Sequence, residues 1–234
     1  MIAILMAAGA GTRMKPLTDI VPKPLVKVFG KPMIETIIDG LETVADKIYV
    51  VVGYKKEQFA FLAEKYSHLE LVENTEYETV NNISSIHTVR DLMGTDDCFI
   101  CEADLYVSDS SIFRAKPESS CYYGVFANGA TDDWVFDQNE AGNITRIGKF
   151  GENQYMMCGV SRFKAEDAKM IRDAIDALYK KPGEYENLFW DEAVNMILDK
   201  LKLKVHPIQR NQIIELDSVQ ELEAFDPNYR EYNP

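Results

Sequence analysis

Three groups of residues could do chemistry on a phosphate. The first is the run Ala7-Ala8-Gly9-Ala10-Gly11-Thr12-Arg13, which leaves an apolar segment and turns through small residues. Gly9 and Gly11 permit positive φ and let the backbone approach a ligand closely. Backbone N–H groups exposed in such a turn form an anion-binding nest. Arg13 adds a planar cation suited to phosphate oxygens. The second group is Lys23, set in Pro22-Lys23-Pro24-Leu25, where two prolines stiffen the chain around one positive charge. The third is a pair of acidic stretches far apart in sequence, Glu102-Ala103-Asp104 and Glu215-Leu216-Asp217. Mg²⁺ binds nucleoside triphosphates through one or two carboxylates plus phosphate oxygens, and Asp104 and Asp217 could supply them.

Each group also has a plain structural reading. Gly9 and Gly11 alone describe a tight turn with solvated basic neighbours. Asp104 alone is a loop cap, and Asp217 a solvated turn acid. Arg13 and the Pro-Lys-Pro segment tip the first group toward phosphate binding. Other chemistries fit less well. A dinucleotide fingerprint is incomplete, because Met14 stands where its third glycine belongs, and no Walker P-loop is present. Cys98-Phe99-Ile100-Cys101 reads as an apolar strand in which cysteine acts as a small hydrophobe, not as a metal or redox pair. His68, His87 and His206 belong to no triad or metal motif.

The elements that must position these residues alternate through the first half. The pattern predicts strands at Ile2 to Met6, Lys47 to Val52, Leu69 to Val72 and Cys98 to Cys101. Helices are predicted over Pro32 to Val44, Lys55 to Tyr66 and Ile83 to Leu92. A βαβ rhythm implies a parallel sheet with helices on both faces, and ligands bind beyond the carboxyl ends of such strands. After Asp104 the pattern becomes strand-rich: Tyr122 to Ala127, Trp134 to Asp137, Ile144 to Ile147 and Tyr155 to Phe163. Two helices follow, Ala165 to Lys180 and Leu188 to Leu201. Two short strands come next, Leu203 to Pro207 and Ile213 to Leu216. A final helix is capped by Ser218 with Glu221 at the capping-box position.

A chain of 234 residues without repeats or linkers is expected to form a single domain over 1–234. The net charge of −13 argues against nucleic acid as a partner, although Arg13, Lys15, Lys23, Lys27 and Lys31 cluster near the start. Met1 to Ala8 has no basic lead-in and reads as a buried strand, not a signal peptide. No apolar run is long enough for membrane insertion, so a cytoplasmic protein is expected. Oligomeric state stays open.

The pattern Ala7-Ala8-Gly9-x-Gly11-Thr12-Arg13, then Pro16-Leu17-Thr18 and Pro22-Lys23-Pro24-Leu25, resembles the signature of the sugar-phosphate nucleotidyltransferase superfamily. The resemblance continues through Gly30-Lys31-Pro32-Met33-Ile34 and Val52-Gly53-Tyr54. It implies an α/β, Rossmann-like nucleotidyltransferase fold. The central sheet would be mixed but mostly parallel, flanked by helices and joined to a small β-rich acceptor-binding portion, with residues 1–105 as the nucleotide-binding half and 106–234 as the acceptor-binding half. It also implies that residues 7–12 hold the triphosphate, that Arg13 and Lys23 are catalytic, and that Asp104 and Asp217 hold Mg²⁺.

Across nearly its whole length the chain is more similar to bacterial CTP:phosphocholine cytidylyltransferases. Asn81-Asn82-x-x-Ser85, Ala103-Asp104-x-Tyr106, Trp134, Gly159-Val160-Ser161, Trp190-Asp191 and Glu215-x-Asp217-Ser218 carry that similarity. It places Asn82 and Ser85 near the nucleoside, and Trp134 and Trp190 in a choline pocket, with Tyr106 and Asp191 also assigned to the acceptor. Aromatic faces beside carboxylates suit a quaternary ammonium. Glu102 stands where the similar enzymes tend to carry Asp, and Leu105 where they carry a polar residue. The expected reaction is CTP plus phosphocholine giving CDP-choline and pyrophosphate. Three rivals remain. The acceptor could be 2-aminoethylphosphonate or phosphoethanolamine, whose primary ammonium would suit Asp132, Asp133 and Asp191. It could be a sugar 1-phosphate. The chain could also be a non-catalytic nucleotide-binding module.

Overall fold

The computed structural model describes all residues, 1–234. In chain order its elements are β1 (Ile2–Ala7), β2 (Lys27–Val28), β3 (Lys31–Pro32), α1 (Met33–Leu41), β4 (Lys47–Val52), α2 (Ala60–Lys65), β5 (Leu69–Glu73), α3 (Ile83–Thr88), β6 (Cys98–Glu102), β7 (Leu105–Val107), β8 (Cys121–Phe126), β9 (Ala130–Gln138), β10 (Ile144–Glu152), β11 (Tyr155–Phe163), α4 (Ala165–Leu178), α5 (Trp190–Asn195), β12 (Lys204–Ile208), β13 (Ile213–Glu215) and α6 (Val219–Phe225). No helix is long and apolar enough to cross a membrane.

The main sheet is mixed, in the order β10-β9-β11-β6-β1-β4-β5, with β8 pairing β11 and β12. β1 lies parallel between β4 and β6, and β5 extends the parallel part beyond β4. The inner strands are apolar on both faces because helices cover both faces. Their residues divide by the two-residue period of a strand. Ala3, Leu5, Ala7, Val50, Val52, Phe99 and Cys101 join one core with α1 and α2. Ile4, Val51, Cys98 and Ile100 join the opposite core with α3, α4 and α5. On α1, Ile34, Ile37, Ile38 and Leu41 are fully buried at helical spacing.

The chain runs outward from β1 through β4 to β5, then crosses back to place β6 on the other side of β1. Connections leave β1 and β6 in opposite directions, which opens a crevice at their carboxyl ends. β11 then continues the sheet antiparallel to β6. Its register shifts between Met157 and Ser161, around Gly159 at φ +72°.

Several elements differ from the expected pattern. β9 and β10 reach beyond their apolar stretches into Thr131-Asp132-Asp133 and Lys149-Phe150-Gly151, because backbone pairing alone carries the hairpin there. The expected helix over Leu188 to Leu201 starts at Trp190 and breaks into α5 and a short 3₁₀ turn at Leu198–Lys200. β7, β2 and β3 are too short to show a period. Cys98 and Cys101 are buried free thiols within β6. A third, smaller core joins Met14, Leu17, Val26, Val28 and Met33 to Leu216, Leu222 and Tyr229, so α6 packs on the segment that carries Lys23.

Candidate active site

A cavity of about 670 Å³ opens at the carboxyl ends of β1 and β6. The β1–β6 register places Met6 opposite Glu102, and the Ala103 N–H donates to the Met6 carbonyl at 3.2 Å. The turn after β1 and the acids after β6 are thus neighbours. Ala7, Ala8, Gly9 and Gly11 line the cavity, whereas Ala10 and Thr12 belong to the turn without lining it. Of the two glycines only Gly11 has a positive φ, +59°. A Cβ on Gly11 would lie 2.7 Å from the Lys23 Cβ, so this glycine lets the turn close against Lys23. The Thr18 hydroxyl donates to the Gly11 carbonyl at 2.9 Å, and the Tyr54 hydroxyl donates to the Thr18 carbonyl at 2.8 Å.

Lys23 follows the extended Pro22 and is only 5% exposed. Its Nζ lies 2.7 Å from Asp104 Oδ2 and 2.7 Å from Asp217 Oδ1. Arg13 Nη1 lies 2.6 Å from Asp217 Oδ2. Four residues paired only by hypothesis in the sequence therefore form one charged cluster. Burial alone would lower the Lys23 pKa, but the Asp104 and Asp217 carboxylates raise it above its ordinary value and keep the ammonium charged.

Asp217 is held by its surroundings. β13 pairs antiparallel with β7, bringing the residues after β13 beside those after β6. The Ser218 hydroxyl accepts from the Glu221 N–H at 3.2 Å, while Glu221 Oε2 accepts from the N–H groups of Asp217 and Ser218. This is the expected capping box, and it fixes Asp217 at the start of α6.

The donor set fits a hard cation. Asp104 and Asp217 converge on one ammonium, and two carboxylate oxygens meeting at one point are what a Mg²⁺–triphosphate complex takes from a protein. Four further acids line the cavity, Asp132 and Asp133 beside Trp134 and Glu102 and Glu215 beside the two aspartates. The Glu102 carboxyl is pushed well above the ordinary carboxylate range, first by burial and then by Asp104, Glu215 and Asp191. Glu215 is pushed up to about 7, by desolvation first and then by Asp217 and Asp104. No side chain pairs with either carboxylate.

The opposite wall carries Asn74, Tyr77, Asn81, Asn82, Ser84 and Ser85. Asn82 Oδ1 accepts from the Trp190 N–H at 2.9 Å, and Ser85 Oγ accepts from Asn74 Nδ2 at 3.2 Å. Both residues line the cavity, and each also braces that wall.

The acceptor residues inferred from resemblance do not gather. Trp134 on β9 lines the cavity, edge-on to Phe189 at 5.6 Å. Trp190 instead lies in the core, 3% exposed, stacked on Tyr122 at 5.9 Å and edge-on to Phe163. Trp190, Ala193 and Val194 form the apolar stripe of α5, which turns the indole inward. Asp191 is 5% exposed and accepts from the Tyr122 hydroxyl at 2.9 Å. Burial pushes its carboxyl up to about 7. Trp190 and Asp191 reach only a void of about 10 Å³ behind Glu102. Tyr106 packs against Phe29 and Phe225 and does not line the cavity. On β7 its side chain alternates away from Leu105 and Val107.

Residues missed in sequence include Asn74, Tyr77, Lys149, Met156, Met157 and Phe189. Lys149 sits beside Trp134 through the β9–β10 register. Arg146, clamped by Asp137, donates to the Lys149 and Phe150 carbonyls and shapes this end of β10. The position of Glu215 two residues before Asp217, on a strand end, was the one available signal for a second acid.

Comparison with known proteins agrees with this geometry. The model of the MobA-like NTP transferase domain matches residues 3–120. A 2-aminoethylphosphonate cytidylyltransferase of Lancefieldella rimae is 53% identical over 97% of this chain and 92% of its own length. A choline-phosphate cytidylyltransferase of Streptococcus pneumoniae is 34% identical over 97% of both chains. The solved structure of CTP:phosphocholine cytidylyltransferase from Streptococcus pneumoniae superimposes with a TM-score of 0.88 at 33% identity, covering 97% of this chain and 98% of the other. On these matches the chain belongs to the MobA-like NTP transferase domain family and is a nucleotidyltransferase of the cytidylyltransferase group.

Proposed function

We propose that the chain transfers the cytidylyl group of CTP to 2-aminoethylphosphonate and releases pyrophosphate. The observation that carries this choice is the content of the acceptor side. Trp190 is buried in the core, which leaves Trp134 as the one indole on the cavity. The carboxylates of Asp132 and Asp133 line the same space beside Trp134, and the acids Glu102 and Glu215, both raised by burial, line it beside Asp104 and Asp217. A quaternary ammonium is best met by several aromatic faces. A primary ammonium has N–H donors that unpartnered carboxylates accept. The Lancefieldella rimae relative, at 53% identity, supports the same choice over the phosphocholine first expected.

In this reading the triphosphate lies along the turn at Ala7–Gly11 and the nucleoside against Asn74, Tyr77, Asn81 and Ser84. The acceptor lies toward Trp134 and Phe189. A phosphonate oxygen attacks the α-phosphorus in line. The new P–O bond forms as the bond to the β-phosphate breaks, and the electron pair leaves with pyrophosphate. The phosphonate is already anionic at neutral pH, so no general base is needed. Lys23 and Arg13 stabilise charge that grows on the reacting and departing phosphates. Asp104 and Asp217 would hold Mg²⁺, which supplies Lewis-acid neutralisation of phosphate charge when bound. Lys149 lines the acceptor side beside Trp134.

Pyrophosphate release from CTP, UTP, ATP and GTP, each with 2-aminoethylphosphonate, phosphoethanolamine, phosphocholine or glucose 1-phosphate, tests the reading. The expected result is the highest kcat/KM for CTP with 2-aminoethylphosphonate. A higher kcat/KM with phosphocholine would overturn it, and Trp134 with Phe189 would then be the π surface that receives the trimethylammonium.

A further inference from the structure

The two walls of the cavity come from distant parts of the chain, and a short connection ties them together. Residues 180–189 link α4 to α5, and most of them are exposed. Such a segment has little burial to hold it and is open to local unfolding. Its last residue, Phe189, lines the cavity and packs on Trp134. The connection is fastened from the other wall. The Asn81 backbone N–H donates to the Glu186 carbonyl at 2.8 Å, and Asn81 Nδ2 donates to the Asn187 carbonyl at 3.1 Å. Asn81 Oδ1 accepts from the Asn82 N–H at 2.7 Å, which fixes the amide's orientation. The Asn81 carbonyl accepts from Ser84, whose hydroxyl also accepts from the buried Asn74.

We propose that Asn81 is a positioning residue that couples nucleotide binding to acceptor binding, by holding Phe189 in the acceptor wall through residues 186 and 187. A nucleoside that orders the wall at Asn74, Asn81 and Ser84 also orders the carbonyls on which Phe189 depends. CTP therefore tightens the acceptor, and by reciprocity the acceptor tightens CTP. The side chain of Asn82 contributes at the far end, where it receives the Trp190 N–H. The inference rests on the substrate placement proposed above, but not on which acceptor is used.

Two measurements test it. In hydrogen exchange, α,β-methylene-CTP slows exchange of the amides of residues 185–189 in the wild-type chain and not in Asn81→Ala. In steady-state kinetics, with whichever of the four acceptors the wild-type chain turns over fastest, Asn81→Ala raises the acceptor KM by ~10-fold, within the ~5–150-fold span of such couplings. The KM for CTP at saturating acceptor rises by a similar factor, as reciprocity requires. Asn81→Asp, which keeps an acceptor oxygen but loses the Nδ2 donor, behaves like Asn81→Ala. Combined with Phe189→Ala, the effects on acceptor KM are not additive, because Asn81 acts through Phe189. Additive effects, or a rise confined to the CTP KM, would overturn the proposal and leave Asn81 a nucleoside contact with no part in acceptor binding. Should Asn81→Ala fail to fold, the wild-type exchange decides: no slowing at residues 185–189 on adding the nucleotide analogue sinks the coupling. Failure of every acceptor to release pyrophosphate would strike the proposed function, while the exchange result would still stand or fall by itself.

Discussion

At the scale of single residues, the charge balance of the site turns on Lys23. Its ammonium is buried between two carboxylates, so its removal leaves Asp104 and Asp217 repelling each other and, in the proposed mechanism, the reacting phosphate without a partner. Lys23→Ala is expected to lower kcat by ~10²–10³, the loss typical of removing one preorganised electrostatic donor. A far-ultraviolet spectrum and melting temperature close to wild type would separate this from misfolding. Wild-type turnover would remove Lys23 from the mechanism. Lys23, Arg13, Asp104 and Asp217 were legible in sequence because each sits in a local pattern of small, proline or acidic neighbours. Lys149 and Phe189 were not, because nothing local marks them. Their place on the cavity is set by the β9–β10 register and by the Asn81 tether. Trp190 misled for a related reason, since an indole beside an acid reads the same on a cavity wall and on the inner stripe of a short helix.

At the scale of elements, α6 serves the site more than the core. It has seven residues and buries only Leu222 fully, yet its capping box holds the backbone of Asp217. Ser218→Ala removes one capping acceptor, at a cost of about 1 kcal/mol. For a chain of this size that lowers the melting temperature by about 2–4 °C. Activity should fall further than stability predicts, through a raised CTP KM, because Asp217 loses its fixed start. An unchanged CTP KM would show that β13 alone places Asp217. The sequence announced this cap through Ser218 and Glu221, and it announced the strands and helices whose period was long enough to read. It did not announce β7, a three-residue strand whose existence depends on pairing with β13.

At the scale of the whole molecule, the buried Tyr122–Asp191 pair makes stability depend on pH. The folded chain holds the Asp191 proton up to about pH 7, whereas an unfolded aspartate loses it near about 3.9. Between those values the folded state binds more protons than the unfolded one, so stability falls as pH rises through the window. Asp191→Asn keeps an acceptor for the Tyr122 hydroxyl and removes the ionisation. Its melting temperature should match wild type near pH 4 and exceed it at pH 8. Equal melting temperatures at both values would mean that Asp191 is not desolvated enough to matter. The two-sided packing of the sheet was readable from strand alternation, but this pair was not, because it depends on α5 turning inward against β8.

The bridge from Lys23 to Asp217 spans 194 positions of the chain. A ribosome has therefore made the turn at Gly9 and Gly11, the parallel strands of the main sheet and the β9–β10 hairpin before the second aspartate emerges. Until then Lys23 has one carboxylate partner, not two, and Arg13 has none. The nascent protein passes through a stage in which its core is present and its reaction centre is not. The charged cluster closes only when α6 docks and brings Asp217 to the crevice.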